Sequence, residues 1–284
     1  MFRSARAVLV LVEIVSYVLI LVMASAAHPA AAQVPPDPII CAGSGANLPI
    51  TRILAQAFAK VRPDIRIEIP ESIGSTGGIK AAADGAVAIG LAGRPLRENE
   101  KQFGLTMVPY ARTIIVIGVH PSVVDDTLSF QELVDIYKGK KTKWKDGREI
   151  VVLSRDEGEA SIDVMRQVVP GFAQAHDESL TARRWVVAFV DADMNRLLEN
   201  TPGAIGISDS GAIQSEHLKI KALKLNGYAP VPEQVLRGKY ALLKTLYFAV
   251  RKASNSRDAQ AFIDFVRSES GLRIIEANGY MPGE

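Results

Sequence analysis

The sequence predicts an α/β fold with mostly parallel sheets. From residue 39 to residue 277, short apolar runs of strand length alternate with segments whose apolar residues recur at helical spacing. Hydrophobic residues make up 48% and charged residues 23% of the 284 residues, which are ordinary values for a globular chain. These values exclude a disordered chain, a collagen-like repeat and a polytopic membrane protein.

The strands and helices can be placed in order along the chain. Short apolar runs bounded by turn residues predict strands at 39–42, 65–69, 87–92, 114–119, 150–153, 185–190, 204–207 and 244–250. Apolar residues three and four positions apart predict helices at 50–60, 79–84, 130–137, 162–168, 194–200, 258–267 and 271–277. Ser129 is the expected N-cap of the third helix, and 74–78 is expected to be a glycine-rich turn.

Residues 1–32 have the pattern of an export signal. Arg3 and Arg6 precede an apolar run at 14–22, and the segment ends in Ala30-Ala31-Ala32, an A-x-A cleavage pattern. We expect cleavage before Gln33 and a periplasmic mature protein of 252 residues. The alternative is an uncleaved membrane anchor, and Glu13 inside the apolar stretch weakens both interpretations.

Charge and residue counts narrow the function. The chain carries +2 and residues 33–284 carry +1, whereas nucleic-acid-binding proteins usually show a strong basic excess. Cys41 is the single cysteine, which rules out an intramolecular disulfide and a multi-cysteine metal site. His120, His176 and His217 lie far apart without metal-ligand spacing. We therefore expect no nucleic-acid partner, no metal and no cofactor.

Three strand-to-helix turns share a chemistry suited to anions. They are 43–47, 74–78 and 155–161, and they are rich in glycine, serine and threonine. Glycine lets the backbone approach a ligand closely, and helix N-termini present unpaired N–H groups with a positive partial charge. One such turn is most simply an ordinary capped turn. Three at the same topological position favour an anion site at the carboxyl ends of the strands.

Seven segments, in order along nearly all of 33–284, carry a resemblance to a known family: residues 72–80, 88–96, 135–140, 143–147, 155–161, 201–206 and 278–282. In these segments the chain resembles the periplasmic phosphate-binding proteins of ABC-type uptake systems. The resemblance implies two Rossmann-like lobes joined by two hinge strands, the type II architecture of periplasmic binding proteins, which close on a solute. Lobe 1 is expected to comprise 33–116 and 247–284, and lobe 2 to comprise 117–246.

The resemblance also implies a set of ligand-binding residues, contributed by four segments. They are Ser44, Gly45, Ala46 and Asn47; Ser75, Thr76 and Gly77; Gly93 and Arg94; and Arg155, Glu159, Ala160 and Ser161. Three positions depart from the family pattern: Asn47 replaces a hydroxyl residue, Gly93 replaces an aspartate that accepts the phosphate proton, and Glu159 replaces a serine.

These departures leave several interpretations open. A carboxylate facing a phosphate dianion in a closed cleft costs several kcal/mol unless it is neutralised, and Arg94 could neutralise Glu159. Glu159 in lobe 2 could take over the proton-accepting role that the family gives to an aspartate in lobe 1, where this chain has Gly93. The ligand could instead carry a cationic or hydrogen-donating part. Alternatively, Glu159 is a solvated acid at a helix start and Arg94 is a surface arginine.

The sequence thus predicts a periplasmic solute-binding protein that captures a small anion, with phosphate as the leading ligand. By family resemblance its partner is an inner-membrane ABC permease, and it is expected to act as a monomer without catalysis. The alternatives are a binding protein for another oxyanion or a small carboxylate or zwitterion, and a ligand-sensing protein. A phosphoester hydrolase is disfavoured, because the cleft turns lack a histidine or acid cluster for such chemistry.

Overall fold

The computed structural model describes residues 37–252 and 256–283. The predicted signal segment, with its cleavage site and its alternative as an anchor, lies outside these residues. No helix in the described part of the chain is both long enough and apolar enough to cross a membrane.

The secondary structure alternates between strands and helices, as the sequence predicts. The strands are Ile39–Gly43 (β1), Ile67–Glu68 (β2), Ile89–Ala92 (β3), Leu105–Val119 (β4), Thr127–Leu128 (β5), Val151–Arg155 (β6), Val186–Ala188 (β7), Ala204–Asp209 (β8), Lys221–Ala222 (β9), Lys224–Leu225 (β10), Leu243–Arg251 (β11) and Met281–Pro282 (β12). The α-helices are Leu48–Val61 (α1), Gly74–Asp84 (α2), Phe130–Tyr137 (α3), Ala160–Val168 (α4), Phe172–Thr181 (α5), Asp191–Asn200 (α6), Ser210–Ser215 (α7), Pro232–Leu236 (α8), Arg257–Arg267 (α9) and Glu269–Ala277 (α10). Two 3₁₀-helices cover Gly45–Asn47 and Glu98–Phe103.

Two long strands connect the lobes. The main sheet runs β2-β1-β3-β11-β4-β8-β6-β7. Its outer strands are parallel, since β1 pairs in parallel with β2 and β3, and β6 pairs in parallel with β7 and β8. The central strands β4 and β11 run antiparallel to each other. Strand β4 pairs with β11 over residues 105–114 and with β8 over 115–119, so it passes from one lobe into the other.

Each lobe has its own hydrophobic core. One large buried cluster draws on residues 39–111 and 246–280, and includes a stacked ring pair, Tyr110 and Phe248, with centroids 3.9 Å apart. The other draws on residues 114–242 together with Met281. This arrangement agrees with the predicted class of two α/β lobes joined by hinge strands. The residues at which one lobe gives way to the other stay a prediction.

The glycine-rich segment 74–78 is helical, so the prediction of a separate turn before the helix was wrong. Helix α2 begins at Gly74 and contains the whole segment. Its third glycine, Gly78, packs directly against two strands, where an added Cβ would lie 2.6 Å from Leu91 O and 2.7 Å from Ala42 O. The glycines therefore let α2 approach the sheet closely. Ser129 caps α3 with Glu132 in a capping box, as predicted.

Candidate functional site

The cleft between the lobes contains a cavity of about 200 Å³. It is bordered by the turn after β1, the start of α2, the turn after β6 and the start of α6. The lining residues are Ser44, Gly45, Ser72, Gly74, Ser75, Thr76, Arg155, Asp156, Gly158, Glu159, Ala160, Phe189 and Asp191. The three segments that the sequence singled out therefore meet around one cavity, as expected for strand ends in an open α/β sheet.

Lobe 1 contributes hydroxyl groups and glycine residues without side chains to this cavity. Ser44 and Ser75 are both buried, and Ser75 Oγ accepts a 3.0 Å hydrogen bond from Gly93 N. Gly93 lies where the lobes approach each other. A Cβ atom on it would lie 3.3 Å from both Ala160 Cβ and Ser44 Oγ, so a side chain here requires its neighbours to shift by a few tenths of an ångström. The cleft is therefore narrow at the position where the resembling family has an aspartate.

Asn47 points away from the cavity. Its amide donates to Tyr110 Oη at 3.1 Å and to Ala92 O at 3.4 Å, and the residue is fully buried in lobe 1. Ala46 and Gly77 are not among the residues that line the cavity. The structure thus does not place Asn47 where a ligand-donating hydroxyl was expected. The tyrosine hydroxyl and the backbone carbonyl of lobe 1 both accept from Nδ2 of this buried amide, whereas its Oδ1 has no hydrogen-bond partner among the described residues.

Arg94 forms a buried ion pair within lobe 1. Its Nη1 and Nη2 donate to the two carboxylate oxygens of Glu100 at 2.7 and 2.8 Å, and Nη2 also donates to Thr76 Oγ1 at 2.9 Å. These hydrogen bonds hold the pKa of Glu100 below its usual range. Arg94 is 5% exposed, so it is not a surface arginine, and it does not neutralise Glu159. A buried guanidinium requires a paired carboxylate, and Glu100 is that partner.

Arg155, at the end of β6, is the cation that lines the cavity. It is 2% exposed, and its Nη2 lies 3.5 Å from Asp191 Oδ1 and 3.9 Å from Glu159 Oε1. Neither Nε nor Nη1 has a hydrogen-bond partner among the described residues. Buried donors of this kind are nearly always satisfied in a working protein. The guanidinium therefore has donor capacity for an anionic ligand.

Glu159 is the N-cap of α4. Its Oε2 accepts a 2.7 Å hydrogen bond from Ser161 N, and its side chain is 11% exposed. The expected position at a helix start is confirmed, but the side chain is not a solvated surface acid. It lies against two cations, because Lys244 Nζ is 3.7 Å from the same Oε1 that faces Arg155.

Lys244, on the crossing strand β11, was not identified from the sequence. Its Nζ lies 3.0 Å from Asp209 Oδ2 and donates to Ser161 Oγ at 2.8 Å. Burial alone would lower the pKa of Lys244, but attraction by Asp209, Glu159 and Asp191 raises it above its ordinary value. Burial raises the pKa of Asp209 to about 6. The one available signal was a lysine near the start of a mostly apolar strand.

Asp191 and Phe189, from the segment entering α6, also went unpredicted. Asp191 extends from lobe 2 to the first turn of lobe 1, where a Cβ on Gly45 would collide with its carboxylate. Burial would raise the pKa of Asp191, but the charges of Arg155 and Lys244 hold it below its ordinary value. Across residues 37–252 and 256–283, no group of three or more His, Cys, Asp or Glu side chains is arranged to hold a metal ion.

Two α/β lobes on crossing strands, with a polar cleft between them, define the architecture of a solute-binding protein. Residues 25–270 match the PBP superfamily domain, and the chain belongs to this superfamily. The fold class and family predicted from the sequence are therefore confirmed.

Relatives with assigned names agree with this placement. Phosphate-binding protein PstS 2 of Streptococcus agalactiae is 33% identical over 115 residues, which is 40% of this chain and 39% of that protein. The chain thus aligns with about two fifths of that relative's length. Phosphate-binding protein PstS of Borreliella burgdorferi is 20% identical over 245 residues, covering 84% of this chain and 88% of that protein.

Solved structures share the fold. A protein from Clostridium perfringens, described as the substrate-binding protein of a phosphate ABC transporter with bound phosphate, is 28% identical with a TM-score of 0.77. The match covers 87% of this chain and all of that one. An ABC-type phosphate transport receptor from Vibrio cholerae is 22% identical, with a TM-score of 0.62 over 86% of this chain and 99% of its own, and supports the fold alone.

Proposed function

We propose that this protein captures phosphate in the cleft between its lobes for ABC-type uptake. The observation that carries the proposal is Arg155, a buried guanidinium at the cavity whose Nε and Nη1 lack partners in the described part of the chain. An arginine fork matches the geometry of a phosphate oxyanion. The PstS relatives and the phosphate-bound Clostridium protein agree with this ligand.

The rest of the cavity supplies the surroundings that an oxyanion needs. Ser44, Ser75 and Thr76 offer hydroxyl groups, and α2 and α4 begin at its wall. N–H groups and dipoles at helix starts attract anions without a full positive charge. The small net charge of the chain is therefore compatible with anion binding.

The family supports the remaining parts of the proposal. We infer that the protein works in the periplasm after cleavage of residues 1–32, as a monomer that delivers its ligand to an inner-membrane ABC permease without chemical conversion. A ligand-sensing role on the same fold is the alternative, and a neighbouring sensor kinase gene instead of permease and ATPase genes would favour it.

A second candidate ligand is a small zwitterion or carboxylate. The observation in its favour is that three carboxylates, those of Asp156, Glu159 and Asp191, line the cavity together with Arg155. Carboxylates accept hydrogen bonds and attract cations, so a ligand with an ammonium or hydroxyl group would find partners there.

Isothermal titration calorimetry of the full chain with phosphate, sulfate, methylphosphonate, glycine and acetate tests both candidates. We expect the tightest binding with phosphate. Arg155→Met should abolish measurable phosphate binding, and Arg155→Lys, which keeps the charge and loses the fork, should weaken it. The matched control is Arg196→Met, since Arg196 is exposed and pairs with Asp193 outside the cavity. Heat of binding with glycine or acetate but not phosphate would refute the phosphate assignment.

A further inference from the structure

A carboxylate of the protein itself is bound at the N-terminus of α4. Glu159 is its N-cap residue, and Glu159 Oε2 accepts from the backbone N–H of Ser161 at 2.7 Å. That N–H group is one of the donors that a helix start leaves unpaired and that bound oxyanions use. The carboxylate therefore occupies a donor that an incoming anion would otherwise use.

The second carboxylate oxygen lies between the two buried cations of the site. Glu159 Oε1 is 3.9 Å from Arg155 Nη2 and 3.7 Å from Lys244 Nζ. Both distances are longer than a hydrogen bond, so this oxygen is held by charge attraction. Arg155 Nε and Nη1 meanwhile have no partner within the described residues. Glu159 therefore partly neutralises the positive charge of Arg155 and Lys244 but forms no hydrogen bond with either of them.

We propose that Glu159 is a built-in competitor for the ligand anion and thereby sets the affinity of the cleft. The inference rests on the proposed function, because it concerns the same cavity and the same cation. An oxyanion bridging α4 and Arg155 must displace the Glu159 carboxylate from Ser161 N or lie against its charge. A competitor on the same chain acts at a high effective concentration, so the apparent affinity is lower than the cleft could provide.

A competitor and a recognition group make opposite predictions. A competing carboxylate weakens the binding of every anion that uses the α4 N-terminus, by a similar factor. A carboxylate that accepts a proton from hydrogen phosphate instead strengthens phosphate binding and rejects sulfate, which brings no proton. The ratio of phosphate to sulfate affinity therefore separates the two roles.

The experiment is calorimetry of the full chain, dialysed free of phosphate, with inorganic phosphate and sulfate at one pH and one salt concentration. Glu159→Ser keeps a short helix cap and removes the competing carboxylate. We expect it to tighten the binding of both anions on the order of tenfold, with a nearly unchanged ratio between them. Glu159→Gln, which keeps the side-chain length, should give a smaller gain for both.

Glu233→Gln is the control for a change of net charge, because Glu233 lies at the start of α8 and pairs with the exposed Arg237. It should leave both affinities within about twofold. Phosphate binding that is unchanged or weaker in both Glu159 variants, while wild type binds phosphate, would overturn this inference and leave the proposed function intact. Absence of binding to either anion by wild type and both Glu159 variants would overturn the proposed function with it. Binding gained only in the variants would support the competitor.

Discussion

The ammonium group of Lys244 donates a 2.8 Å hydrogen bond to Ser161 Oγ, across 83 residues of sequence. Lys244 belongs to the crossing strand β11, and Ser161 lies in the first turn of α4 beside the cavity. The bond therefore joins a hinge strand directly to the turn expected to hold the ligand.

Replacing Lys244 by methionine should destabilise the protein strongly. The change leaves the buried carboxylate of Asp209 without the cation that pairs with it, and it removes one of the two cations beside Glu159. Breaking a buried pair from one side costs about 3–5 kcal/mol, because a charge stays buried without compensation. The free energy of unfolding from urea titration measures the loss.

Lys80→Met is the matched control for Lys244→Met. Lys80 forms an exposed pair with Asp84, and such pairs contribute about 0–1 kcal/mol. A second substitution, Asp209→Asn, should restore part of the loss in Lys244→Met. If Lys244→Met cost no more than Lys80→Met, the buried cluster would not be the stabilising unit that its geometry indicates.

Asp209 should make the stability of the protein fall as the pH rises. Burial raises the pKa of this carboxyl from an ordinary value of 3.8 to about 6. The folded state therefore holds the proton more tightly than the unfolded state. Its contribution is fully present below about pH 4 and is lost as the pH passes 6. At 1.36 kcal/mol per pKa unit the contribution is roughly 2–3 kcal/mol.

The measurement is the stability difference between wild type and Asp209→Asn from pH 4 to pH 7. Because other titrating groups largely cancel in the difference, the wild-type advantage should shrink over this range. Asp126→Asn is a control of opposite sign, since its hydrogen bond with Lys221 lowers the pKa of Asp126. A wild-type advantage over Asp209→Asn that stays flat from pH 4 to pH 7 would contradict the raised pKa.

Local signals were sufficient for much of the fold. Ser129 and Glu132 form the capping box that their spacing predicts, because both partners lie within one turn.

The first half of β4 was not predicted, since Pro109 lacks a backbone donor and interrupts the strand pattern. In the structure the register shifts beside it, opposite Leu246 and Tyr247, so a bulge accommodates the proline. Helix α5 was missed because its buried face carries His176 and Ser179.

The cavity itself was only partly predictable. Arg155, Glu159 and Ser75 all lie in segments predicted as strand-to-helix turns, and parallel strand ends meet at one edge of a sheet. The hydrogen-bond and ion-pair partners of the charged residues could not be predicted, because pairing depends on distance in space. Lys244 forms an ion pair with Asp209, which lies on another strand, and Arg94 forms an ion pair with Glu100 and not with Glu159. Spacing in the sequence contains no signal for either choice.

The Arg94–Glu100 pair should behave as one unit. Arg94→Met leaves the Glu100 carboxylate buried without its cation, which costs about 3–5 kcal/mol in the free energy of unfolding. Replacing both residues by methionine removes both charges together, and the double variant should be more stable than either single variant. Urea titrations of the four proteins give the coupling energy. A loss in the double variant equal to the sum of the two single losses would show that the two residues act independently.

Gly45 should not tolerate even one added methyl group. A Cβ at this position would collide with the Asp191 carboxylate, which also lies 3.5 Å from Arg155. We expect Gly45→Ala to lower the free energy of unfolding by about 1–3 kcal/mol, the range for overpacking.

Gly158→Ala is the matched control beside the same cavity, because a Cβ there would lie at the longer distance of 3.2 Å from Asp156 Oδ2. Adding Asp191→Ala removes the colliding group, so the double variant Gly45→Ala/Asp191→Ala should lose less than the sum of the two single changes. Strict additivity in urea titrations would show that the first turn of lobe 1 does not contact Asp191 in solution.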